Sequence, residues 1–161
     1  MKSIFAACLT VIALSGCVTS PIPEGYTGPT ATIRDSALSD SSTRARFFYV
    51  SEVDGRSIRT SLQATRSANH GRGFSLSPAV IERQVPAAVV KLKLEGRTAY
   101  GAPIQELVMA ARMYSVEEVV EAELRPGTRY VVKGRLEEGK TAVWLEEQES
   151  RQRVGRTVEP K

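Results

Sequence analysis

Hydrophobic and polar residues alternate along much of this chain with the two-residue period of a β-strand. In residues 87–95, Val90, Leu92 and Leu94 fall on one side and Lys91, Lys93 and Glu95 on the other, the pattern of a sheet with one face on a core and one in water. Tyr130, Val132 and Leu136 alternate with Val131, Lys133 and Arg135 in the same way. Aromatic and β-branched residues crowd 46–53, Asp54-Gly55 follows, and 56–62 continues as a second run. Asp-Gly between two such runs predicts a β-hairpin. Residues 31–34 read as a half-buried strand, 74–85 hold one short strand, and 153–158 read as an edge strand guarded by arginines. The polar run 36–43 and the stretch 63–73, which ends in Asn69-His70-Gly71-Arg72-Gly73, read as loops.

Residues 104–124 support two readings. Their composition favours helix, and Ser115 with Glu118 matches a capping box for a helix starting at Val116. Alternation fits as well: Val116, Val120, Ala122 and Leu124 share one strand face with Glu118, while Glu117, Glu121 and Glu123 line the other. The turn signal Pro126-Gly127 and the apolar run that follows Gly139 place this segment in a series of short strands. That context favours a strand at 116–124 in an antiparallel meander. The whole pattern predicts a mostly β, antiparallel sandwich over residues 30–161, with room for one short helix.

The first residues break the alternation. Lys2 precedes an apolar run from Ile4 to Leu14, interrupted only by Thr10, and small Ser15 and Gly16 close it. This is the layout of a secretory signal, and the run is shorter than the ~20 residues a membrane-spanning helix needs. Leu14-Ser15-Gly16-Cys17 resembles the lipobox of bacterial lipoproteins: an aliphatic residue, two small ones, then cysteine. The resemblance implies a diacylglyceryl thioether on Cys17, cleavage between Gly16 and Cys17, and acylation of the new amine. Residues 1–16 would then be a lipoprotein signal peptide and 17–29 the lipidated cysteine with a flexible tether rich in proline and glycine. Fully extended, that tether reaches about 40 Å at most. In lipoproteins of enteric type, aspartate after the cysteine tends to retain the protein at the inner membrane; Val18 stands there in this chain, which points to the outer membrane. Near the other end, Tyr130-Val131-Val132-Lys133-Gly134 and Ala142-Val143-Trp144-Leu145-Glu146 resemble the closing strands of immunoglobulin-like or transthyretin-like domains of small Gram-negative lipoproteins.

Charge and cysteine content narrow the functional classes. The chain carries 22 Lys and Arg against 18 Asp and Glu, a formal net charge of +4. This modest excess reads first as charge for solubility; if it serves binding, an exported chain would meet anionic headgroups, lipopolysaccharide or cell-wall polymer before nucleic acid. Cys8 leaves with the leader and Cys17 is consumed by lipid, so no thiol remains for a disulfide or a nucleophile. A single histidine cannot build a tetrahedral zinc site. A hydrolytic triad would have to combine Ser75 or Ser77 with His70 and Asp35, Asp40 or Asp54, and no nucleophile elbow frames either serine. The pairs Glu117-Glu118, Glu137-Glu138 and Glu146-Glu147 point to opposite faces of a strand, so they read as solvated faces and turns.

Two features bear on a binding role. Arg59, Arg66, His70 and Arg72 form a basic, glycine-containing cluster in sequence that could grip phosphate or carboxylate through forked donors and turned backbone amides. The second is Trp144, the only tryptophan, whose indole could stack on a sugar ring if exposed but which reads first as a packing anchor in the core or between strands. The expectation is an outer-membrane, lipid-anchored protein facing the periplasm. Its domain would be a non-catalytic binding or structural accessory without a cofactor, meeting membrane lipid through Cys17 and an envelope protein or cell-wall component elsewhere. The alternative is an anion-binding module working through the basic loop, and a hydrolase is the remotest class.

Overall fold

The alternating runs pair into two sheets packed face to face. A computed structural model describes residues 19–157, so the expected signal peptide and lipobox, Cys17, and Val158 at the end of the expected edge strand lie outside the described residues. The strands are β1 (Thr30–Arg34), β2 (Ser36–Ser41), β3 (Arg44–Val53), β4 (Arg56–Ser57), β5 (Glu82–Pro86), β6 (Val89–Tyr100), β7 (Ser115–Glu123), β8 (Arg129–Glu137), β9 (Lys140–Glu147), β10 (Arg153–Val154) and β11 (Arg156–Thr157). Helix α1 (Ser61–Ala68) follows β4, and α2 (Pro103–Val108) with a 3-10 turn at Ala110–Arg112 follows β6. One sheet runs β10-β9-β8-β1-β5 and the other β11-β7-β6-β3-β2, with β4 paired to β3. All pairs are antiparallel except β1 with β8.

The predicted alternation locates the main core. Phe48, Val50, Leu92 and Leu94 from one sheet meet Ile33, Tyr130, Val132 and Leu145 from the other, all buried. On the opposite face of β3, Phe47 and Tyr49 are buried beneath Leu62 of α1 and Leu76. This second layer explains why 47–50 is an unbroken apolar run: β3 is covered on both faces. Two chain crossings tie the sheets together. Asp35 joins β1 of one sheet to β2 of the other, and Gly155 joins β10 to β11 across the opposite edges. Gly155 has φ of 90°, and a Cβ there would lie 2.4 Å from Val120 Cγ1, so this corner admits no larger residue.

Several expectations need correction. The Asp54-Gly55 turn forms with φ of 49° and 76°, values suited to a two-residue hairpin, but β4 stops at Ser57 instead of running to Leu62. Thr60 ends it by capping α1: its hydroxyl accepts from Gln63 N, and the Gln63 side chain accepts from Thr60 N. This reciprocal capping box satisfies two orphan helix donors, so the first part of the stretch read as a loop at 63–73 is helical. The polar run at 36–43 contains β2, an edge strand paired on one side only. Residues 104–124 divide between both readings: α2 and the 3-10 turn come first, then β7, with Ser115 in the strand. The meander is also broken, because the Pro126-Gly127 turn carries the chain from β7 in one sheet to β8 in the other. The predicted edge strand divides at Gly155 between the two sheets.

The segment read as a flexible tether is tied to the domain from Thr19 onward. Thr19 N and Oγ1 both donate to Ser57 O, at 2.9 and 3.0 Å. Arg56 Nη2 donates to Pro21 O at 3.0 Å, and Tyr26 folds back to donate to Pro29 O at 2.7 Å. The N-terminal approach therefore lies along the β3–β4 hairpin. Because Ser57 sits beside Glu52, and Glu52 beside Lys93 of β6, this is the end of the sheet remote from Tyr100.

Candidate functional site

Helix α1 is positioned by polar residues spaced four apart on one face. Ser61 Oγ accepts from Ile81 N at 2.8 Å, Thr65 Oγ1 from Ala79 N at 2.8 Å, and Asn69 Oδ1 from Ser77 N at 2.9 Å. Four helical residues rise about 6 Å, and two extended residues advance about 6.7 Å. Alternate amides of 77–81 therefore meet successive turns of α1, and a chain segment outside any sheet has its donors satisfied.

The N-terminus of α1 is fixed from below by a buried ion pair. Asp35 accepts from Arg83 Nη1 and Nη2 at 2.7 and 2.6 Å, from Ser61 N and Oγ at 3.2 and 2.7 Å, and from Val50 N at 3.2 Å. Arg83 Nη2 also donates to Arg59 O at 3.3 Å. The carboxylate thus binds β5, β3 and the start of the helix at once, with all of its acceptor capacity engaged.

Beyond the C-terminus of α1 lies a groove of about 620 Å³ between the 69–76 loop and the connection from β6 to α2. Leu76, Tyr100, Ala102 and Pro103 supply apolar wall, and Arg66, His70 and Glu106 the polar part. Arg66 Nη2 pairs with Glu106 Oε1 at 3.3 Å, bridging α1 and α2. Backbone contacts hold the walls together: Leu76 N donates to Ser42 O and Gly101 N to Thr43 O, at 2.8 and 3.0 Å. A Cβ on Gly101 would lie 2.0 Å from Phe74 O, so the loop approaches β6 as closely as it does only because residue 101 is glycine.

The sequence-predicted basic cluster is only partly assembled here. Arg66 and His70 line the groove, and exposed Arg72 lies between the lining residues Gly71 and Gly73. Arg59 precedes the cap at the other end of α1, where its carbonyl serves Arg83. The aspartates considered with His70 are engaged elsewhere: Asp35 with Arg83, Asp40 with Arg44 and Arg46, and Asp54 with Lys91 N. Trp144 is half-buried on the outer face of β9, not in the core. The Arg153 guanidinium lies 3.9 Å from its ring centroid, so the indole anchors β10 to β9 by a cation–π contact. Among the described residues no group of three or more His, Cys, Asp or Glu is placed to hold a metal ion. Sequence reasoning missed α2 as part of the site, since its apolar residues read equally well as core.

Tyr49, beneath α1, donates to Glu95 Oε2 at 3.0 Å. Burial, reinforced by the Glu95 charge, pushes its phenol pKa well above the ordinary value of 10.0. A raised folded-state pKa contributes stability that is fully present below the unfolded value and lost as pH rises through the folded one. Urea midpoints should therefore fall as pH climbs above about 10, and Tyr49→Phe should flatten that alkaline slope. An unchanged slope in Tyr49→Phe would assign the alkaline loss to other groups.

No protein-family model, curated protein or solved structure matches the chain.

Proposed function

We propose that this chain is an outer-membrane lipoprotein, anchored through Cys17, whose periplasm-facing sandwich is a non-catalytic binding or accessory domain for another envelope component. The observation that carries this reading is the sequence Leu14-Ser15-Gly16-Cys17 after a short apolar run, and the arrangement of the domain fits it. Thr19, two residues after Cys17, is fastened to the β3–β4 end of the sheet, and the groove opens at the Tyr100 end. Along β6, Lys93 and Tyr100 are separated by about 23 Å. A lipid at residue 17 would hold the first end at the bilayer and direct the groove away from it. Several acyl chains at about 0.8 kcal/mol per buried methylene suffice for firm retention. Growth with labelled palmitate should label the chain and place it in the outer-membrane fraction, while Cys17→Ser should lose both label and membrane retention. A Cys17→Ser form that still takes up palmitate would refute the anchor.

A second reading, an anion-binding module for cell-wall carboxylates or lipopolysaccharide phosphates, draws on Arg66 and His70 lining one groove with Arg72 on its loop. Binding of that kind would weaken with salt and with neutral replacements of Arg66 and Arg72.

A further inference from the structure

We infer that the outer face of α2, together with the groove beside it, docks an acidic, amphipathic segment of a partner protein. The inference rests on the binding-domain reading above and names the chemistry of the partner. Its starting point is that α2 buries none of its residues. Ile104, Leu107 and Val108 are 56, 74 and 72% exposed, and Phe74, next to the groove-lining Gly73, is 57% exposed. Isolated apolar residues on a surface need no explanation, but a contiguous group does. Spacings of three and four place Ile104, Leu107 and Val108 on one helix face. Leu107 lies one turn beyond Pro103, which lines the groove with Glu106, so the stripe adjoins the groove along α2.

Charge selects the occupant. Arg72 and Arg112 are exposed on the segments that border this surface, while Arg66 and Glu106 in the groove wall pair with each other. A second copy would bring the same excess of cations against itself, which disfavours self-association. A bilayer is also anionic, but the anchored end of the domain is the opposite one. A groove of about 620 Å³ flanked by an apolar helix face suits a chain segment with apolar anchors on one side and carboxylates on the other.

The test places a photocrosslinking amino acid at Ile104 in the full chain, in intact cells, with Glu149 on a distant exposed turn as the control position. Crosslinked peptides are then sequenced. The expected result is an adduct at Ile104, absent at Glu149, to a segment of another protein that combines carboxylates with apolar residues at helical or alternating spacing. Its yield should fall at least about tenfold in the double variant Arg72→Glu, Arg112→Glu. An adduct to lipid or to a second copy, a yield unaffected by charge reversal, or the same adducts from both positions would each overturn the inference, as would the lack of any adduct. Palmitate labelling of the same cells reports the anchor separately, so loss of docking and loss of anchoring are read apart.

Discussion

Asp35→Ala is expected to destabilise the domain by about 3 to 5 kcal/mol, the usual result of removing one partner from a buried ion pair. Arg83 is 7% exposed and Asp35 0%, so truncation leaves a guanidinium in the interior with only Arg59 O as acceptor. Ser61 N and Oγ lose their partner as well. The cost therefore combines an orphaned charge with orphaned helix donors. Because the same carboxylate holds the start of α1, the damage should reach the groove at the other end of that helix. Asp35→Asn keeps acceptor capacity for Ser61 but gives up the ion pair and should fall between wild type and alanine. Urea unfolding followed by far-ultraviolet circular dichroism measures both. A loss below about 1 kcal/mol for Asp35→Ala would mean that water reaches the pair and that the crossing between β1 and β2 is not held by it.

Gly134→Ala should cost about 1 to 3 kcal/mol, the range for forcing extra volume into a packed core. A Cβ at 134 would stand 2.2 Å from Phe48 Cδ1 and 2.6 Å from Ala142 O. The same ring edge closes on the other side against Gly96, where a Cβ would come within 3.1 Å of Phe48 Cδ1 and 2.9 Å of Val116 Cγ1. Phe48 thus fills a slot made by glycines on facing sheets, and Gly96 is its register partner on β6. Truncating the ring should relieve part of the clash. A double-mutant cycle of Gly134→Ala with Phe48→Leu should give a favourable coupling of about 1 kcal/mol or more. Additive losses would show that the obstacle is the Ala142 carbonyl alone.

The sandwich was legible wherever one sheet face is wet. Lys91, Lys93 and Glu95 against Val90, Leu92 and Leu94 disclose both a strand and its buried side, and Asp54-Gly55 discloses its turn. Legibility failed where burial is achieved by polar contacts. Ser61, Thr65 and Asn69 are buried, yet in sequence they resemble a surface loop, and only their spacing of four hinted at a helix face. Asp35 gave no local sign of its partner because Arg83 lies 48 positions away. The groove was half visible for a related reason: Arg66, His70 and Arg72 are neighbours in sequence, whereas the opposing wall, Tyr100 to Glu106, is brought to them by long-range contacts, the pairing of β6 with β3 among them. Apolar α2 was hidden because hydrophobic residues predict burial, and these are exposed.

The proposed orientation, with the lipid at one end and the groove at the other, is open to a direct depth measurement. The chain recovered from membranes with the proposed lipid at Cys17, reconstituted into vesicles containing brominated lipid, would carry a fluorophore at either Glu24→Cys or Leu107→Cys; both native side chains are exposed. Bromine quenches only at short range, and β6 alone separates Lys93 from Tyr100 by about 23 Å. The account predicts strong quenching at position 24 and little at position 107. Equal or stronger quenching at 107 would put α2 on the bilayer and contradict both the orientation and the protein partner proposed for it.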